Sequence, residues 1–348
     1  MHFFATVASL LALTSLGNAL SSSLQQVTGF NTGPTAAGMY VYIPTNKVSP
    51  APIIVAIHYC TGTAEAYFSG TLYAEYADTY GYIVIYPNSP SSGGCWDVSS
   101  TATLTHNGGG DSETIINMVS YAVENYGGDA DRVYATGSSS GAMMTNVLAG
   151  AYPNVIKAGS VYSGVPDGCF YVAGATSGMA TPAWNSECAL GDLIMTATQW
   201  GDLTRSYYPG YTGSYPNMLM YAAPFPSCDS LTPCHHSYLP HSWHGTIDTT
   251  LYYENLAQTL LQWSNVLDVS FTQNNTNTPQ SGYTQMVYGA GTKLIGYSAF
   301  DVGHTVPVHE TVDLAWFGIS GGTGTTTSTA IPTTTSSSGG TIPLYGQW

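Results

Sequence analysis

Short runs of apolar, largely β-branched residues punctuate the chain, each ended by turn chemistry. Residues 53–57 and 83–86 are such runs, apolar at every position, as expected of strands buried on both faces. The period then changes. Ile115, Met118, Val119, Ala122, Val123 and Tyr126 recur at spacings of three and four, which predicts an amphipathic helix that Asp111 or Ser112 can cap and Gly127 ends. Residues 133–136 predict the next strand, followed by Gly137 and a helix over 142–151. Further strands are expected at 161–163, 218–221 and 293–298, with a helix over 252–267. Strands alternating with helices predict the α/β class, with a mostly parallel central sheet flanked by crossover helices.

Both ends of the chain depart from this pattern. Residues 3–16 are apolar all round and too short to span a bilayer, and Gly17-Asn18-Ala19 follows with small residues, so 1–19 reads as a secretory signal peptide. Secretion gives the six cysteines access to an oxidising compartment. One large α/β domain is assigned to 20–319; residues 320–342, rich in Ser, Thr and Gly, cannot bury a core and read as an O-glycosylated linker. Residues 343–348 resemble the opening of a fungal cellulose-binding module, with Trp348 standing where its first cysteine would be. They are expected to be the truncated start of such a module, and by themselves are not expected to bind cellulose.

Composition narrows the partners. Apolar residues make up 44% of the 348 and charged ones 7%, which excludes a disordered acidic tail and a charge-laced coiled coil. Five basic residues against twenty acidic ones leave a net charge of −15, so nucleic acid is not expected as a partner, and neither is a membrane. With no other run of eighteen apolar residues, the mature protein is expected to be soluble, and a monomer.

Candidate chemistry begins at Gly137-Ser138-Ser139-Ser140-Gly141, which fits the nucleophile elbow G-x-S-x-G between a predicted strand and a predicted helix. That setting holds a serine on a tight turn with its hydroxyl exposed. A serine is a weak nucleophile at its own pKa and needs a base, itself oriented by an acid. In α/β-hydrolases these follow in the order serine, acid, histidine. Asp248, in a polar loop before the helix at 252, suits the acid; His304, in a loop shortly after the last strand, suits the base, while His309 lies nearer the closing helix and is expected at the surface. The loop after residues 53–57, His58-Tyr59-Cys60, is where this fold takes one oxyanion N–H donor, here Cys60; Ser140, after the nucleophile, supplies the other.

Together with Cys95-Trp96-Asp97, Gly108-Gly109-Gly110-Asp111, Ala142-Met143-Met144 and Gly303-His304-Thr305-Val306-Pro307, these residues resemble the fungal acetylxylan esterases of carbohydrate esterase family one, which also holds feruloyl esterases. The resemblance implies an α/β-hydrolase fold and a serine esterase that deacetylates xylan without metal or other cofactor, with Ser139, Asp248 and His304 as its triad. Ser138 stands where the family usually has threonine. Four cysteines allow three pairings, of which the resemblance favours Cys60 with Cys95 and Cys169 with Cys188. The cluster Cys234, His235, His236, His241 and His244 is rejected as a zinc site, because nothing closes it into a ligand set. Asn274-Asn275-Thr276 is an acceptor for N-glycosylation. Residues 222–243 interrupt a strand and the acid loop that should follow directly, with four prolines and no period of two or 3.6. They read as intervening sequence translated by error, with a genuine surface lid as the alternative.

Overall fold

The computed structural model describes residues 20–33, 35–178, 182–222 and 248–320. The expected signal peptide, residues 223–243 of the interrupting stretch, residues 321–342 of the linker and the C-terminal tail lie outside the described residues; Ala222, expected to open the interrupting stretch, instead ends a sheet strand. The strands are β1 (Gln25–Val27), β2 (Gly38–Tyr42), β3 (Ala51–Ile57), β4 (Ile83–Asn88), β5 (Gly128–Ser138), β6 (Ala158–Tyr162), β7 (Asn217–Ala222), β8 (Phe271–Thr276), β9 (Tyr283–Tyr288) and β10 (Leu294–Ala299). The helices are α1 (Ala64–Gly70), α2 (Tyr73–Tyr80), α3 (Thr101–Leu104), α4 (Asp111–Tyr126), α5 (Ser140–Ala151), α6 (Ser186–Ala189), α7 (Ala197–Ser206), α8 (Glu254–Val266) and α9 (Glu310–Trp316).

All ten strands form one sheet in the order β1-β2-β4-β3-β5-β6-β7-β10-β9-β8. Its centre, from β4 to β10, is parallel, while both flanks are antiparallel. The sheet is therefore of the α/β-hydrolase kind. β3 shows why its sequence has no alternation. Ile53, Val55 and Ile57 pack in one cluster with Ile115, Met118 and Met144, and Ile54 and Ala56 pack in another with Tyr73, Ala77 and Phe317. Helices cover both faces, so both sets of side chains must be apolar.

The stripe of α4 buries Ile115, Met118, Val119 and Ala122, and Gly127 ends the helix in the left-handed region at φ 68°. Its start differs from expectation. Gly110 is the N-cap, and the Asp111 carboxylate instead accepts the Asp97 backbone N–H at 3.0 Å, so tertiary contact has taken the side chain from the capping role. α5 begins at Ser140, two residues earlier than the apolar pattern indicates, and all twelve of its residues are buried. The predicted strand at 161–163 is in fact Ala158–Tyr162.

Asp167, in the loop after β6, is wholly enclosed, and neither carboxylate oxygen has a hydrogen-bond partner. Burial raises its pKa well above the ordinary 3.8. A carboxyl whose folded pKa is raised favours folding fully only below the unfolded value, and that contribution is lost as pH climbs through the folded value. Asp167→Asn is therefore expected to melt higher than the parent at pH 7, with the gap closing towards pH 4, as thermal unfolding at the two pH values would measure. A gap that widens on acidification would contradict this.

Candidate active site

Ser139 follows β5 directly and serves as the N-cap of α5, with φ 53° and ψ −117°. A non-glycine residue there is strained by about 1–3 kcal/mol, and the surroundings must hold it. Its N–H donates to the Tyr162 carbonyl at 2.8 Å, and its carbonyl accepts the first helical bond from Met143 at 2.9 Å. The turn needs glycine on either side. A Cβ on Gly137 would lie 2.4 Å from the Gly141 carbonyl oxygen, and one on Gly141 would lie 2.1 Å from that of Ile57. Strand, turn and helix close on one another too tightly for a methyl group.

His304 sits in the segment between β10 and α9, and its Nε2 is 2.8 Å from Ser139 Oγ. Its Nδ1 is 2.8 Å from Asp248 Oδ2. The other oxygen of Asp248 accepts the backbone N–H groups of Thr250 and Leu251, each at 2.9 Å, which fixes the carboxylate with both oxygens in use. The Asp248 side chain is 4% exposed and that of His304 22%, so the acid is enclosed while the imidazole borders solvent. Nδ1–H donating to Asp248 leaves Nε2 with the lone pair that a hydroxyl proton needs.

Cys60 and Ser140, the residues expected to donate to an oxyanion, are both tied to one dipeptide. Cys60 is disulfide-bonded to Cys95, and Ser140 Oγ accepts the Trp96 N–H at 2.8 Å. The Trp96 indole N–H donates to the His58 carbonyl at 2.9 Å, so the strand end that leads into Cys60 is held from the same point. As the first residue of α5, Ser140 has a backbone N–H with no acceptor inside its helix. Closing a loop of 35 residues with Cys60–Cys95 stabilises by about 4 kcal/mol in the chain-entropy model. Cys169–Cys188 is the second bond; Cys228 and Cys234 lie outside the described residues.

Sequence reading missed His58. It is fully enclosed, and burial lowers its pKa to about 4, so the ring is neutral under ordinary conditions. Nδ1–H donates to the Tyr59 carbonyl at 2.7 Å, and Nε2 accepts the Ser89 N–H at 3.0 Å. The ring thereby joins the ends of β3 and β4 beneath the Cys60 loop. Its position straight after an apolar strand was the one available clue. His309 is corrected as well. It is half-buried rather than exposed: its ring lies 5.6 Å from Tyr221 and 5.1 Å from Tyr283, and burial lowers its pKa. Ser138 Oγ pairs with the Tyr67 hydroxyl at 3.0 Å, a bond that threonine could also make. Asn274 is exposed on the edge strand β8. Among the described residues, no His, Cys, Asp and Glu converge as metal ligands, and no helix is long and apolar enough to cross a membrane. The cluster from Cys234 to His244 lies outside those residues.

The family model described as esterase PHB depolymerase matches residues 37–210, half of the chain. The chain belongs to that family. It is similar to "Probable acetylxylan esterase A" of Aspergillus fumigatus, 46% identical over 332 residues, covering 92% of this chain and 82% of the relative. "Feruloyl esterase B" of Talaromyces funiculosus is 46% identical over 304 residues, covering 87% and 79%. The solved acetyl xylan esterase from Aspergillus awamori superposes with a TM-score of 0.76 at 46% identity, covering 86% of this chain and all of that one. At such identity this family member is a carboxylic ester hydrolase.

Proposed function

We propose that the protein is a secreted serine esterase that removes acetyl groups from acetylated xylan, with Ser139, His304 and Asp248 as nucleophile, base and orienting acid. The observation that carries this reading is the hydrogen-bonded chain from Asp248 through His304 to Ser139 Oγ, both links 2.8 Å, in a chain 46–48% identical to acetylxylan esterases.

In the reaction, Ser139 Oγ attacks the acetyl carbonyl as His304 Nε2 takes its proton, and Asp248 stabilises the resulting imidazolium. The N–H groups of Cys60 and Ser140 receive the oxyanion. The proton passes to the departing sugar oxygen, leaving an acetyl-enzyme. Water, deprotonated by His304, then releases acetate. The same steps cleave a feruloyl ester, and the similarity to a feruloyl esterase B favours keeping that second reading. Rates on acetylated xylan and on methyl ferulate separate the two: release of acetate with the higher kcat/KM supports the first, and a preference for ferulate overturns it. Asn274 is proposed to carry a glycan, which a mass loss at its peptide on enzymatic deglycosylation would reveal.

A further inference from the structure

We propose that Tyr162 and Asp313 are positioning residues that fix the separation of His304 from Ser139; this rests on the reading of those two as base and nucleophile. Tyr162, the last residue of β6, holds Ser139 directly and, through its side chain, the chain segment that follows His304. Its backbone carbonyl accepts the Ser139 N–H at 2.8 Å. Its side-chain hydroxyl accepts the His309 N–H at 3.0 Å and donates to Asp313 Oδ1 at 2.9 Å. Asp313 lies on α9, the helix that begins just after His309, while His304 occupies the span between β10 and that helix. One end of the span is fixed by sheet pairing of β10 with β7 and β9, and the other by Tyr162 and Asp313.

Asp313 is fully buried and receives three hydroxyls: Ser160 at 2.7 Å and Tyr162 on Oδ1, and Tyr73 on Oδ2. The Tyr73 hydroxyl also pairs with Thr136 Oγ1 at 3.1 Å, three residues before Ser139 on β5. The network therefore joins the nucleophile strand, its neighbour and the helix behind the base. The titratable groups around it include Tyr67, Tyr73, Tyr162, Tyr221, Tyr297, His309 and Glu310. Burial pushes its pKa up to about 7 against the pull of the three hydroxyls. An apolar residue would avoid that cost of burial. What a carboxylate adds is direction, because each hydroxyl is aimed at a fixed oxygen.

Tyr162→Phe tests the assignment, since the ring keeps its stack on Tyr221, 4.4 Å between centroids, and the carbonyl still holds Ser139. A displacement of ~1 Å costs on the order of 10²-fold in rate, so kcat on an acetyl ester is expected to fall ~10- to 100-fold with KM changed less than about twofold. Asp313→Ala should act the same way, and the double variant should lose no more than the worse single one, because both remove one linkage. Asp313→Asn, which keeps an oxygen for Tyr162, should recover part of the loss and serves as the decisive variant if Tyr162→Phe does not fold. Rates are taken per active site, titrated with a fluorophosphonate. Parental kcat in Tyr162→Phe, or in Asp313→Ala alongside Asp313→Asn, overturns the inference, as does a loss that disappears once inactive molecules are discounted. Failure of the parent protein to be labelled at Ser139 would instead overturn the reading of the site.

Discussion

Ser139→Ala is expected to lower kcat on an acetyl ester by ~10⁴- to 10⁶-fold and to leave the melting temperature nearly unchanged. The loss is large because the covalent route disappears with the hydroxyl. Without the hydroxyl that His304 activates, the residual rate comes from binding and oxyanion donors. Stability is spared for two reasons. Alanine retains the Cβ and can occupy the same turn. Ser139 is only partly buried, and His304, whose Nε2 loses the hydroxyl as partner, borders solvent. Initial rates on purified variant and parent, with calorimetry of both, measure the two halves of the expectation. Activity above one percent would remove Ser139 from its role, and a large drop in melting temperature would mean that the hydroxyl is structural.

Gly141→Ala is expected to have the opposite profile, with loss of the fold before any loss of chemistry. The added methyl would sit 2.1 Å from the Ile57 carbonyl oxygen and 2.6 Å from that of His58. Both are backbone atoms of β3 and its continuation, so no side-chain rotation relieves the clash. Either α5 moves from the sheet or β3 bends, and each breaks packing in the largest core cluster. Overpacking a core commonly costs 1–3 kcal/mol, and a clash with backbone on both sides should reach about 3 or more. Gly70→Ala is the control. Nothing lies within 4 Å of the methyl it would add at the end of α1, and helix propensity there favours alanine. Urea unfolding of the two variants should separate them clearly, and equal midpoints would refute the close approach.

Legibility in the sequence followed how strongly one local rule governed each segment. The unbroken apolar runs of β3 and β4 announced strands covered on both faces, and the stripe of α4 announced its buried side. The elbow was readable because a tight turn leaves a short pattern of glycines and serine. Other elements had no such period. β8 is exposed at nearly every position, so its alternation carries no hydrophobic contrast, and β1 is only three residues long. α7 was missed although Thr196 and Gln199 form a reciprocal capping box. The buried polar groups were least legible. Asp313 and His58 look in sequence like other charged or titratable residues, and only three-dimensional enclosure distinguishes them. His309 was misplaced for the same reason.

The two disulfides of the described structure link cysteines that are consecutive in the chain, Cys60 with Cys95 and Cys169 with Cys188, so their loops neither interleave nor nest. Protein synthesis is vectorial and N-terminal regions fold first. The first pair can close while the chain is still being made, long before the ribosome reaches His304. The second can close before Asp248 is added. Pairing in order of emergence thus yields this connectivity without reshuffling, and the support beneath Cys60 can be set before the residue that will face Ser139 exists.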